Sequence, residues 1–141
     1  MKKLLISGMI AFFAMQWVQA ATICDAKTAL ANARLNLMMM VVSTEKAEQD
    51  ALKVDIDKAS IELEKAMTAM LKDENKIDDV QLKTLKKTWT QFKNTRETEI
   101  VPAVYAGDNQ KAIGIATGVQ AGRMKIMNGV IRELNGDNCD Y

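Results

Sequence analysis

Apolar residues recur along this chain at alternating intervals of three and four. Between Thr22 and Val42 the series is Ala26, Leu30, Ala33, Leu37 and Met40, and a second runs Leu52, Ile56, Ala59, Leu63, Ala66 and Met70. The third is Leu82, Leu85, Trp89, Phe92, Arg96, Glu99 and Ala103, ending at Gly107-Asp108. The fourth passes through Ala112, Ala116, Val119, Arg123, Ile126 and Val130 to Leu134, with Asn135-Gly136 as its stop signal. Such spacing keeps one side chain per helical turn on a single seam, the pattern of helices packed nearly parallel to their neighbours. Period-two runs, which would mark strands, are absent from the sequence. The predicted architecture is all-α, an up-down-up-down four-helix bundle.

Local signals place the ends of these helices. Thr22-Ile23-Cys24-Asp25 has capping-box spacing, with Asp in the place of Glu. Ser43 and Thr44 interrupt the first series with hydroxyls suited to capping the second helix. A polar stretch over residues 72–79, with Ile77 its single apolar residue, separates the second helix from the third. Pro102 is expected to kink the last turns of the third helix without abolishing them.

The first twenty residues stand apart from the fold. Lys2 and Lys3 precede an apolar run from Leu4 to Val18, and small residues occupy the −3 and −1 positions of a cut after Ala20. This is the pattern of a secretory signal peptide. As a helix the run covers about 22 Å, short of the roughly 30 Å of a hydrocarbon core, so cleavage near Ala20-Ala21 is expected rather than retention as a membrane anchor. The domain proper is then 21–141, periplasmic or secreted. Leader removal takes away two lysines and no acid, leaving 17 basic and 18 acidic residues. Such a balanced chain offers no electrostatic case for nucleic acid or an anionic membrane as partner.

Composition then narrows the chemistry. Without a single histidine the chain has no imidazole-ligated metal or haem and no Ser-His or Cys-His dyad. Phosphate loops, nucleophile elbows and metal-ligand clusters are missing from the sequence too, so neither an enzyme, nor a cofactor, nor a metal site is expected. The carboxylates in Glu45-Lys46 and Glu62-Leu63-Glu64-Lys65 read as solvated faces. Seven methionines lie beyond the leader, among them the consecutive Met38, Met39 and Met40. Neighbouring helical residues point about 100° apart, so these thioethers read as core filling rather than as a copper site. The two cysteines, Cys24 and Cys139, fall at the same pole of the predicted bundle and in an oxidising compartment after export. They read as a structural disulfide rather than a reactive or metal-binding pair.

Several segments resemble the periplasmic four-helix-bundle ligand-binding domain of bacterial methyl-accepting chemoreceptors. On the first helix these are Ala33-Arg34-Leu35-Asn36, followed by the break at Ser43-Thr44-Glu45. On the third they are Trp89-Thr90-Gln91-Phe92 with Arg96, then Ile100-Val101-Pro102-Ala103-Val104 leading into Ala106-Gly107-Asp108, with Ala112 four residues on. The likeness covers residues 25 to 135. It implies sensing of a small molecule, in chemotaxis or related signal transduction. Chemoreceptors of this kind flank the domain with two membrane helices and append a cytoplasmic signalling hairpin. Beyond the leader this sequence holds no further apolar run of membrane length, so output is expected to pass to a partner. A disulfide at the pole where those membrane helices would attach could take over their role of holding the first and last helices together. The competing class is a periplasmic structural or chaperone-like helical adapter that binds no small molecule.

Two features carry the binding expectations. Arg96 lies at the centre of the third seam, Arg123 at the same kind of position on the fourth, and Arg34 about 65° off the first seam. Convergent guanidinium groups grip a carboxylate in bidentate fashion, which would suit a small organic acid or amino acid. The plainer alternative pairs them with Asp55, Asp57 or Glu99, or lets them snorkel out to solvent. On the fourth helix Gly114, Gly118, Gly122, Gly129 and Gly136 fall within about 80° of one another, some 125° from the seam. That face permits close backbone approach by a second subunit or a periplasmic partner protein; otherwise it is simply solvated.

Overall fold

The computed structural model describes residues 22–73, 79–134 and 136–139, and the leader reading therefore lies outside the described residues. The chain runs through α1 (Ile23–Val42), α2 (Lys46–Lys72) and α3 (Asp79–Thr95). A π-helical turn (Arg96–Ile100) then leads into α4 (Val101–Tyr105). Next come α5 (Asn109–Thr117), α6 (Val119–Glu133) and a 3₁₀ turn (Gly136–Asn138). Four antiparallel arms result: α1, α2, a third made of α3, the π-turn and α4, and a fourth made of α5 and α6. This is the up-down-up-down bundle that the apolar spacing predicts.

The capping box forms as its spacing requires. Thr22 Oγ1 accepts from the Asp25 N–H, and the Asp25 carboxylate accepts from the Thr22 N–H at 2.7 Å. The first hairpin packs closely because its facing positions are small: Ala26, Ala29 and Ala33 on α1, Ala59, Ser60 and Ala66 on α2, all buried. Leu30, Leu37, Met40, Ile56 and Leu63 fill the space between them, each about 1.5–3 kcal/mol more favourable inside than in water. Met40, Met67 and Met127 are core residues as well.

At the distal pole the cap differs from expectation. Glu45, not Ser43 or Thr44, precedes α2 and makes no side-chain cap. Ser43 instead organises the turn: its hydroxyl bonds Glu48, and its carbonyl accepts from Gln49 Nε2 and Asn109 Nδ2 at 2.8 Å each. Asn109 also donates to the Val41 carbonyl, tying the two distal turns together. The second turn needs Gly107, whose φ of 77° is the left-handed conformation that favours glycine. At the opposite pole Cys24 and Cys139 form the expected disulfide, with Cα atoms 5.5 Å apart. Lys27 Nζ donates to the Gly136 carbonyl beside it.

Two seams depart from their predicted registers. On the third arm Glu99 is exposed and Ile100 is fully buried in its place. The π-turn inserts the extra residue, its last N–H (Val101) reaching back five residues to the Arg96 carbonyl. Pro102 follows at once. It has no N–H to continue the ladder, and its ring would press on a carbonyl one turn back, so the widened turn accommodates it. On the fourth arm Val119 and Ile126 are about half exposed, and Gln120, Met127 and Ile131 take the core instead. The cause is Gly118, whose φ of −92° and ψ of −105° leave the helix and separate α5 from α6.

Candidate functional site

Beside the shared core, the second arm meets the third through a series of polar rungs. Lys46, Asp50, Lys53, Asp57, Ser60 and Glu64 repeat at the same four-three spacing as the core residues of α2, one position out of phase. Lys46 bonds Asp50 and lies 4.4 Å from the Tyr105 ring centroid. Lys53 holds Asp57 at 2.6 Å and Glu97 at 3.3 Å. Glu64 accepts from Trp89 Nε1 at 3.0 Å and from Lys93 at 2.7 Å. Partial burial raises the Glu64 carboxyl, but these hydrogen bonds and the charges of Lys93 and Arg96 outweigh it and hold the group below its ordinary value. Tyr105 is pushed up, by burial first and then by the Asp50 carboxylate.

Arg96 is the central rung. Its side chain is fully buried at the start of the π-turn. Nε donates to Glu97 at 2.8 Å, one terminal nitrogen donates to Ser60 Oγ at 2.9 Å, and the guanidinium carbon lies 5.6 Å from the Trp89 ring centroid. Trp89 in turn stacks on Phe92. The acid that pairs with Arg96 is thus Glu97, not Asp55, Asp57 or Glu99: the widened turn swings residue 97 onto the α2 side, within reach of Lys53. Its second terminal nitrogen is buried without an acceptor among the described residues.

Arg34 is half-buried on α1, and one of its terminal nitrogens is likewise buried without an acceptor. Burial pushes its guanidinium below the ordinary value. Arg123 differs, since one nitrogen donates to both Thr95 Oγ1 at 2.7 Å and Gln120 Oε1 at 2.8 Å. Gln120, itself fully buried, donates to the Phe92 carbonyl. Arg96 and Arg123 therefore meet the same level of the second hairpin through adjacent residues, whereas Arg34 shares no hydrogen-bond partner with either. A cleft of about 210 Å³ opens beside this level between α2 and α3, lined by Glu64, Met67, Thr68, Lys86, Trp89 and Thr90.

Sequence reading missed Ser60, Glu64, Glu97, Thr95 and Gln120. The signal for the α2 residues was available: a polar series one position off the core spacing borders the core, and in its middle Ser60 is buried and Glu64 partly so. Among the glycines, Gly114, Gly122 and Gly129 have open space where a Cβ would stand. Gly118 does not, since a Cβ there would lie 2.8 Å from the Gly114 carbonyl oxygen. Gly136 is no part of an outward face: it is buried, with Ile131 Cγ2 at 2.4 Å from its Cβ position.

Four antiparallel arms around one core, with Arg96 buried midway along the third, define a four-helix-bundle module. The model of the family described as "Four helix bundle sensory module for signal transduction" matches residues 6–138, and the chain belongs to that family. Neither the curated proteins nor the solved structures hold a match to the chain. Among the described residues no helix is long and apolar enough to cross a membrane, and the disulfide fits an extracellular or periplasmic sensory domain.

Proposed function

We propose that this sensory module is exported, with its leader removed near Ala20-Ala21, and that it recognises a small organic anion through Arg34 and Arg96. The observation that carries the reading is the pair of buried guanidinium nitrogens without acceptors. A buried donor left unsatisfied costs about 1–3 kcal/mol, and a carboxylate is the acceptor that a guanidinium fits best. Arg123 supports Arg96 from the neighbouring arm by holding Thr95. Output would then pass to a partner protein, in chemotaxis or related signal transduction.

The test is a thermal-shift screen of organic acids and amino acids, followed by calorimetry on wild type, Arg34→Gln and Arg96→Gln. A true ligand at a hundredfold its dissociation constant stabilises the native state by about 2.7 kcal/mol. Loss of that shift in both variants supports the site. A panel that leaves the wild-type midpoint unmoved overturns it.

A second reading, recognition of a partner or a second copy through the outer faces, is favoured by exposed apolar side chains. Leu35, Met39 and Val42 line the back of α1, and Val119 and Ile126 flank the open Gly122 and Gly129 on α6. Sedimentation of the exported form, with and without Leu35→Gln, separates this adapter-like role from ligand sensing.

A further inference from the structure

Both arms of the second hairpin lose helical phase at one level. Gln120 reaches the Phe92 carbonyl and Arg123 reaches Thr95, so the Gly118 break lies alongside the π-turn that begins at Arg96. Below that level α3 and α6 pack as one pair; above it α4 and α5 pack as another. The hairpin is thus two rigid halves joined by two interruptions side by side.

The α6 sequence carries a second seam beside the one it buries. In the present register Gln120, Met127 and Ile131 face the core, while Val119 and Ile126, one residue ahead, stand 51% and 52% exposed. A continuous fourth arm, without the break, would turn α6 by about 70° and bring Val119, Arg123 and Ile126 to the core beside Val130, which is buried already. A continuous third arm would likewise turn Glu99 inward in place of Ile100. Each interruption therefore selects one of two seams that the same residues can form.

We infer that the second hairpin is a two-register device, in which the π-turn and Gly118 hold α6 with Met127 inward and a straightened register turns Val119 and Ile126 inward instead. Packed helices exchange between discrete arrangements rather than deforming continuously, and a module that senses needs two such arrangements. Arg96 sits at the hinge, so a group bound there acts on the choice of register.

Methionine oxidation followed by mass spectrometry reads the register without any ligand, so the outcome is independent of the anion reading. Met127 is fully buried on α6, and Met40 and Met67 are buried on the first hairpin as internal controls. Gly118→Ala places a Cβ against the Gly114 carbonyl and drives the arm toward continuity. Met127 oxidation is then expected to rise about tenfold or more, as a minor register becomes the main one, with Met40 and Met67 unchanged. Unchanged Met127, or a parallel rise at all three, overturns the inference. Should Gly118→Ala fail to fold, Ile126→Gln decides, since it alters only a side chain that is half exposed in this register. It removes apolar surface that the second register alone would bury fully. Severalfold slower Met127 oxidation supports the device, and an unchanged rate refutes it.

Discussion

The disulfide closes almost the whole domain into one loop, Cys24 and Cys139 being 115 positions apart in the sequence. Cys24→Ala with Cys139→Ala removes the crosslink without leaving a thiol. Chain-entropy reasoning puts the loss near 4.7 kcal/mol as a ceiling for a loop of this size. At about 4 °C per kcal/mol for a domain of this length, the thermal midpoint should fall by up to roughly 15–20 °C. The native pole has other ties, the Thr22–Asp25 capping box and the Lys27 bond to the Gly136 carbonyl, so helical content should stay the same. The effect then acts on the unfolded chain, which expands once released. Urea unfolding, followed by helical circular dichroism and Trp89 fluorescence, should accordingly give a steeper dependence on denaturant in the variant. A midpoint within about 3 °C of wild type, or an unchanged slope with frayed ends, would refute the reasoning.

Other expectations follow from single contacts. Because the Glu64 carboxyl sits below its ordinary value of 4.5, its stabilisation is fully present above that value and lost as pH falls through the folded one. Urea midpoints should therefore decline below about pH 4.5, less steeply in Glu64→Gln, which is also the weaker protein at neutral pH. Gly122→Ala and Gly129→Ala, with nothing near the added Cβ, should each raise stability by up to about 1 kcal/mol. Gly136→Ala should lower it, measured by the same thermal melt, because Ile131 occupies the space. Gln120→Leu strips the Phe92 carbonyl of its donor and Arg123 of an acceptor, and should cost about 1–3 kcal/mol in denaturant unfolding.

What the sequence discloses and what it conceals divide along physical lines. The seams of α1 and α2 are read correctly because each helix is continuous, so residue spacing converts directly into angle. Past Arg96 and Gly118 that conversion fails: one extra residue in a turn, or one residue outside the helix, rotates everything downstream. Glycine and proline marked both places, yet neither residue says by how much the phase will shift. The buried position of Arg96 follows from spacing, whereas its partner does not. Glu97 is adjacent in sequence and, on an ordinary helix, would point about 100° away. Arg34 stands half-buried at the seam edge, as its spacing predicts, but the missing acceptor at its nitrogen is a fact of three dimensions only.

The bridge between Cys24 and Cys139 also has a mechanical meaning. Tension applied to the ends of the described chain passes through two sulfur atoms and leaves the helices unloaded. The first and last arms share a fixed point at that pole and cannot slide past each other there. Relative displacement between them must grow with distance from this pivot, like the arms of a lever. The interruptions at Arg96 and Gly118 lie midway along the arms, where a lever pinned at one end has room to turn.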